Sequence, residues 1–342
     1  MSSPLFLPSL LRFWESEGFD PSGKSFLLGI SGGADSVALL ELFVREVAPR
    51  FGLRKDAIAA VHVNHRLRAD SDRDQLLVEE LCRDRGVPLH VETLDPGTRR
   101  SGQSVEMWGR EQRYAAFARA SARFSQTSAR GHTLLTAHHR DDAVETFYLR
   151  LWRGTGLAGM AGIPFVRADG VTRPLLPVDR ASLRAWLRAL GTPWREDGSN
   201  ADTRIARNWV RHRLLPPLRA ADPAFDETVF RLTRAVAGTL PAWERWMRAE
   251  HPVEVVVDLG GIPAAWLRAG MESEALKSCL PALGIAAPAP ELLTELRRQA
   301  LAGVQGNSKG SPPKIQVRID ESSVLVEKRG ILVRSQSFFS RK

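Results

Sequence analysis

The chain has 342 residues, a formal net charge of +9 and a pI near 10.2. That length allows two or more domains with cores of their own, and the basic excess suits an acidic partner such as nucleic acid, although arginine outnumbers lysine 41 to 7 and part of the basicity then reflects composition. The two cysteines, Cys82 and Cys279, exclude a disulfide framework and fit a reducing cytoplasm, and without an apolar run of about 18 residues or a basic leader neither export nor membrane insertion is expected.

In chain order, 7–16 reads as a helix. The next stretch, Gly18 to Ser25, spells the Walker A pattern G-x-x-x-x-G-K-[ST]. A Walker loop follows a strand and opens a helix, whereas this one follows a helix, contains Pro21 and leads into a strand, so it reads as a surface loop. Residues 25–30 form an apolar strand, and the turn Ser31-Gly32-Gly33-Ala34-Asp35-Ser36 opens a helix over 36–48 with Val37, Leu40, Val44 and Val47 on its apolar face. Strands at 57–63, 88–93 and 133–137 then alternate with helices at 71–85 and 104–123. This βαβ series predicts an α/β fold with a doubly wound parallel sheet, closed on one side by a further strand at 172–176.

The turn at 31–36 has the chemistry of a phosphate cradle. Its glycines let the backbone approach an oxyanion, the helix N-terminus supplies N–H donors, and Ser31 and Ser36 add hydroxyls. Asp35 repels phosphate unless a cation such as Mg²⁺ lies between them, which points to a magnesium nucleotide. The bland alternative is a Gly-Gly turn capped by Asp35 or Ser36. A second cluster follows the strand at 133–137: His138, His139, Asp141, Asp142 and Glu145. Asp142 and Glu145 share a helix face at the C-terminal strand ends, where open α/β sheets bind ligand, although Asp-x-x-Glu also spells a capping box. No Cys/His cluster offers a metal site. Arg110 and Arg113 are placed to reach phosphates, with an ordinary Glu106–Arg110 ion pair as the alternative. Nine arginines against three acidic residues lie between Arg180 and Arg219. Arg204, Arg207 and Arg211 recur at helical spacing, as a phosphate-binding stripe or a solvated face.

Beyond Pro216-Pro217 the pattern changes to short helices interrupted by Pro241, Pro263, Pro281, Pro288 and Pro290. Residues 302–314 read as a linker, and alternation at Ile315, Val317 and Ile319, then near 324–326 and 331–333, predicts a short β element. The expected division is 1–218, a nucleotide-binding catalytic domain; 219–301, a helical substrate-binding domain; and 302–342, linker and β element. No internal repeat and no motif for a protein partner is evident.

Ser31-Gly32-Gly33-Ala34-Asp35-Ser36 after a strand resembles the PP-loop ATP pyrophosphatases, and Ala137-His138-His139-Arg140-Asp141-Asp142-Ala143-Val144-Glu145-Thr146 resembles the corresponding block of PP-loop enzymes that modify tRNA. The blocks from Val63 to Arg68, Arg110 to Tyr114, Asp197 to Asn200 and Arg207 to Arg211 resemble the tRNA(Ile)-lysidine synthetase family. The resemblance spans roughly 25–218. It implies an adenine nucleotide alpha hydrolase-like fold and a ligase that uses ATP and Mg²⁺ to join free L-lysine to C2 of the wobble cytidine of tRNA(Ile) with a CAU anticodon. In that reading Ser31 to Ser36 and Arg110 bind ATP, Asp35 holds Mg²⁺, and Asp35, Arg113, His138, Asp142, Glu145 and Arg207 serve catalysis; His138, at the position the family motif fixes, is the better candidate for the reacting nucleotide, with His139 peripheral. Arg204, Arg207 and Arg211 bind tRNA. Longer family members carry a larger C-terminal domain. A tRNA cytidine thiolase, disfavoured by the missing Cys-x-x-Cys, and a non-catalytic nucleotide- and RNA-binding module are the alternatives.

Overall fold

A computed structural model describes residues 3–66, 70–99, 105–125, 132–196, 206–250, 259–260, 315–319, 322–327 and 330–334. The chain divides into two compact units, one of residues 1–155 and 159–235, the other of 156–158 and 236–342. The first unit therefore extends past the boundary expected at 218.

The first unit is built on four parallel strands: β1 (Ser25–Gly29), β2 (Ile58–Asn64), β3 (Leu89–Thr93) and β4 (His132–Leu135), in the order β3-β2-β1-β4. Phe26, Leu27 and Leu28 are all buried, because a central parallel strand is covered on both faces. On one face Phe26, Leu28 and Ala60 pack with α1 (Leu7–Ser16), α2 (Ala34–Leu42) and the apolar side of α3 (Ser71–Arg85). On the other, Leu27, Ala59 and Val61 meet Phe117 and Ala120 of α4 (Val105–Ser125). Gly29 is small for a reason: a Cβ there would lie 3.2 Å from the Phe117 ring. The sheet is doubly wound as expected, and the chain leaves β3 at one edge to return as β4 on the far side of β1. That reversal makes the C-terminal ends of β1 and β4 the switch point where such sheets bind ligand.

Several expectations need correction. The helix expected over 36–48 starts at Ala34, ends at Leu42 and continues as a π-helical turn, Phe43–Val47. No strand forms at 172–176: Thr172 alone exchanges hydrogen bonds with Leu134 and Thr136, since Pro174 cannot donate to a ladder and a turn closes from Arg173 to Leu176. Pro241 does not end a helix. It lies inside α8 (Phe225–Glu250), whose other positions outweigh the one lost hydrogen bond and local crowding. α8 follows α6 (Arg180–Leu190) and α7 (Leu215–Ala221), and α5 is Arg140–Trp152.

The expected C-terminal β element is present as β6 (Ile315–Ile319), β7 (Ser322–Glu327) and β8 (Gly330–Arg334), an antiparallel meander with β5 (Leu259–Gly260) paired to β8. The expected linker, and with it Cys279 and most of the expected helical domain, lies outside the described residues.

One buried carboxylate fixes the lower half of the first unit. Glu41 of α2 is fully buried and accepts hydrogen bonds from Arg45, from Arg85 of α3 at 2.6 Å and from Thr192 at 3.0 Å. Burial alone would raise its pKa, but the two guanidiniums outweigh it and hold the group below the ordinary glutamate value. Its stabilisation is therefore present above about pH 4.5 and lost as pH falls through the lowered folded value. Glu41→Ala should destabilise the protein by about 3 kcal/mol, because two partly buried guanidiniums lose their counter-charge. Urea unfolding at neutral pH checks this; an unchanged midpoint would show that the cluster is hydrated away without cost.

Candidate active site

The first wall of the site is the turn between β1 and α2. Ser36 donates its hydroxyl to the Gly33 carbonyl at 2.9 Å and accepts the Ser31 N–H at 3.1 Å. The Ser31 and Ser36 hydroxyls lie 3.1 Å apart. Gly32 has φ +87°, and a Cβ there would approach the Asp74 carbonyl at 3.4 Å, so the left-handed backbone and the close neighbour both select glycine. The Arg195 N–H donates to Gly32 O at 2.9 Å, and Arg195 pairs with Asp74 at 3.1 Å, which pins the turn from outside. The N-cap of α2 is Gly33, which offers no side-chain cap. The helix's first N–H groups and dipole are thus available to an oxyanion.

The second wall is the entry to α5. His139, fully buried, is its N-cap, and the capping box is formed by His139 and Asp142, not by Asp142 and Glu145. The Asp142 carboxylate accepts the His139 N–H at 3.1 Å, and the Asp142 N–H reaches the ring Nδ1 at 3.4 Å. The same ring presents Nε2 to Asp35 at 3.3 Å and to Asp142 at 3.6 Å. The expectation that His139 is peripheral is therefore corrected: it joins the phosphate-type turn to α5. Burial opposes a charge on this ring, but Asp142 and Asp35 outweigh it and its pKa rises. His138 behaves oppositely. Burial dominates, and its pKa falls to about 4, while its Nδ1 lies 3.0 Å from the Thr136 hydroxyl. It stands as a neutral ring beside a charged one.

Arginines close the cluster from below. Glu145 is 1% exposed and accepts from Arg207 Nε at 2.8 Å and from Arg211 at 2.6 and 2.9 Å, with Arg180 at 3.7 Å. Arg207 also donates to Asp142 at 2.9 Å. Asp141 accepts from the Arg180 backbone at 2.9 Å and from Arg219 at 3.1 Å. Burial works against the charge on Asp142, yet His139, Arg207 and His138 hold its carboxyl well below the usual range. The arrangement changes the reading of the arginine stripe. Arg207 and Arg211 do not form an open face: they are turned onto Glu145. Arg204 lies outside the described residues, as do Asp197 to Asn200.

Arg110 lies over the Tyr114 ring at 5.2 Å, and Arg113 sits 3.4 Å from His65 Nε2. Arg113 is accessible to water, yet the surrounding protein lowers its pKa and the Arg110 charge lowers it further. The side chain of Glu106 is outside the described residues. Sequence reasoning missed the roles of Arg180 and Arg219. Neither has a local signal, because both reach the cluster from separate helices. For His139, the adjacent acidic pair Asp141-Asp142 was a usable sign.

Oδ1 of Asp35 is buried and has no hydrogen-bond partner, which fits a cation ligand. Among the described residues no group of three or more His, Cys, Asp or Glu surrounds a metal position, so remaining ligands would be phosphate and water oxygens, as Mg²⁺ prefers.

A doubly wound sheet with a glycine turn and a charged helix entry at its switch point defines a nucleotide-binding α/β protein. Residues 9–218, more than half of the chain, match the PP-loop domain family. The chain is 35% identical over 320 residues to the tRNA(Ile)-lysidine synthase of Chromobacterium violaceum, covering 91% of this chain and 68% of that protein. It is 40% identical over 227 residues to the tRNA(Ile)-lysidine synthase of Porphyromonas gingivalis strain W83, covering 66% of this chain and 47% of that one. It thus belongs to the PP-loop family and, within it, to the tRNA(Ile)-lysidine synthases. The chain spans about half the length of several of the curated relatives it matches. A solved structure, the U34-tRNA thiolase NcsA from Methanococcus maripaludis, superposes with a TM-score of 0.52 at 14% identity, covering 68% of this chain and 79% of that one. That likeness shows the shared fold alone.

Two outcomes follow from the charge arrangement. In a histidine NMR titration His138 should stay neutral from pH 8 to about pH 5, whereas His139 should already be protonated above its ordinary value of about 6.5. The stabilisation from His139 is present below about pH 6.5 and lost as pH rises through the raised folded value; two rings titrating together near 6.5 would contradict the arrangement. Arg211→Gln should lower stability by about 3 kcal/mol, since it removes a partner from a buried carboxylate. A solvated arginine would cost under about 1 kcal/mol, and thermal unfolding separates the two.

Proposed function

We propose that this protein ligates free lysine to C2 of the wobble cytidine in tRNA(Ile) with a CAU anticodon, at the expense of ATP. The cytidine O2 attacks the α-phosphorus of ATP and pyrophosphate leaves. The lysine side-chain amine then attacks C2, AMP leaves with the C–O bonding pair, and the amine gives up a proton, yielding lysidine. The observation that carries this reading is the position of the His139 ring, on the α5 entry, between Asp35 of the phosphate-type turn and Asp142 of α5, within a chain whose relatives are named for that activity.

The chain's own groups divide the work. Ser31, Gly32, Gly33, Ala34 and Ser36 supply N–H and hydroxyl donors for the pyrophosphate, and Arg110 and Arg113 supply cations. Mg²⁺ held by Asp35 would offset negative charge on the phosphates when bound. His138, kept neutral by burial, is suited to hydrogen-bond the reacting base without bringing charge. The structure favours Asp142 over Glu145 as the group that meets the lysine amine. Glu145 is buried and taken up by arginines, whereas Asp142 is partly accessible. A carboxylate with so low a pKa is a weak base, so Asp142 suits binding the ammonium and orienting it better than accepting its proton. Arg207 orients Asp142 through its 2.9 Å hydrogen bond.

Sulfur transfer is disfavoured by Cys82, which is buried and whose thiol is pushed up to about 12 by burial; such a thiol yields little thiolate. Among the described residues no helix is long and apolar enough to cross a membrane.

The test is incubation with ATP, unmodified tRNA(Ile) and labelled lysine, following lysine incorporation and AMP. Wild type should give both, Asp35→Asn should give neither while unfolding normally, and Cys82→Ser should keep most activity. Transfer of sulfur in place of lysine, or RNA binding with no AMP, would replace this reading with a thiolase or a binding module.

A further inference from the structure

α5 begins in the candidate site and ends on the surface, and its far end carries a feature that the reaction above does not use. Trp152, the last residue of α5, is 61% exposed. Trp209, in the helical turn Ala206–Trp209, is 36% exposed, and the two ring centroids are 4.7 Å apart with the planes tilted by 54°. Leu151 beside them is 48% exposed. Two adjacent indoles held open to water forgo much of the burial gain that large aromatic rings normally obtain.

The charge around the pair selects its occupant. Arg153 follows Trp152 directly and Arg213 lies four residues beyond Trp209, about one turn on; both are exposed. Among the described residues neither side chain has an ion-pair or hydrogen-bond partner, unlike Arg207 and Arg211, which are engaged by buried carboxylates. Aromatic faces flanked by unpaired guanidiniums match a splayed nucleobase with its phosphates: the ring stacks, the cations meet the backbone. A hydrophobic protein partner would use the indoles but leave two cations without counter-charge. Thirteen residues of α5 at 1.5 Å each place the pair about 18 Å along the helix from the active-site end, several nucleotides away along an extended strand.

We infer that Trp152 and Trp209 form a stacking platform for an unpaired base of the substrate RNA, a few nucleotides from the reacting cytidine, with Arg153 and Arg213 on the adjoining phosphates. The platform fixes the loop so that the reacting base enters between the turn at 31–36 and α5. This rests on the lysidine reading for the identity of the RNA, not for the stacking itself.

The experiment uses the full chain and a fluorescein-labelled stem-loop RNA with CAU in its loop, titrated by anisotropy at fixed salt. Trp152→Leu and Trp209→Leu keep apolar bulk but lose the extended π-face, and should weaken binding by roughly 5- to 100-fold, while Trp152→Phe should retain most of it. Arg153→Gln should lower the slope of log affinity against log salt by somewhat under one. Removing one loop base should weaken wild type and leave the Leu variants little changed further, which identifies the stacked base. Thermal midpoints of the variants should stay near wild type; if Trp209→Leu fails to fold, the more exposed Trp152 carries the test alone. Leu variants that bind the RNA as wild type does overturn the platform, as does loss of a dimer in sedimentation velocity with RNA affinity unchanged. If wild type incorporates no lysine yet the Leu variants lose RNA affinity, the platform stands and the lysidine reading falls.

Discussion

A carboxylate in a protein interior requires cations around it, and Glu145 is the place where this protein meets that demand most strictly. Leaving such a group unpaired costs several kcal/mol, so a fold that buries Glu145 must bring guanidiniums to it. Two come from the segment after 205 and a third from the start of α6. The consequence is architectural: α5, α6 and the 206–214 segment are tied at one point, one hydrogen bond away from Asp142.

The same cluster sets the electrostatics above it. Arg207 bridges from Glu145 to Asp142, and Asp142 with Asp35 favours a proton on the buried His139. Charge of both signs is concentrated within a few residues, yet His138, one position earlier in the chain, is kept neutral by burial. Two adjacent histidines with pKa values driven apart are a pattern found where acid, base and hydrogen-bonding roles are separated. The turn at 31–36 and the helix that carries the carboxylates are linked through one imidazole ring, so neither can shift without disturbing that contact.

Arginines of the first unit serve different ends. Some residues neutralise buried carboxylates, as at Glu145 and Glu41. Arg110 and Arg113 instead meet Tyr114 and His65, without a carboxylate partner of their own among the described residues. Arg153 and Arg213 extend into solvent beside exposed tryptophans. A net charge gives no means of telling these groups apart, since each guanidinium counts equally in the sum.

The sequence by itself determined the parallel sheet, because its strands are short apolar runs separated by helices of matching length, and it determined the nucleotide turn, because Gly32 and Gly33 with Ser31, Asp35 and Ser36 form a contiguous local unit whose geometry depends on few distant contacts. It also marked α5 and its acidic residues. Only the tertiary structure decided what those acidic residues face. Arg180, Arg207, Arg211 and Arg219 come from parts of the chain that converge after folding, and helical spacing alone fits a solvated stripe and an interior clamp equally well. The single bridging residue at Thr172 and the passage of α8 through Pro241 were likewise settled by the surroundings, since local propensity is a weak preference that packing overrides. His139 shows the division most clearly: its neighbours in sequence make it a helix cap, while its partner Asp35, on another strand's turn, makes it part of the site.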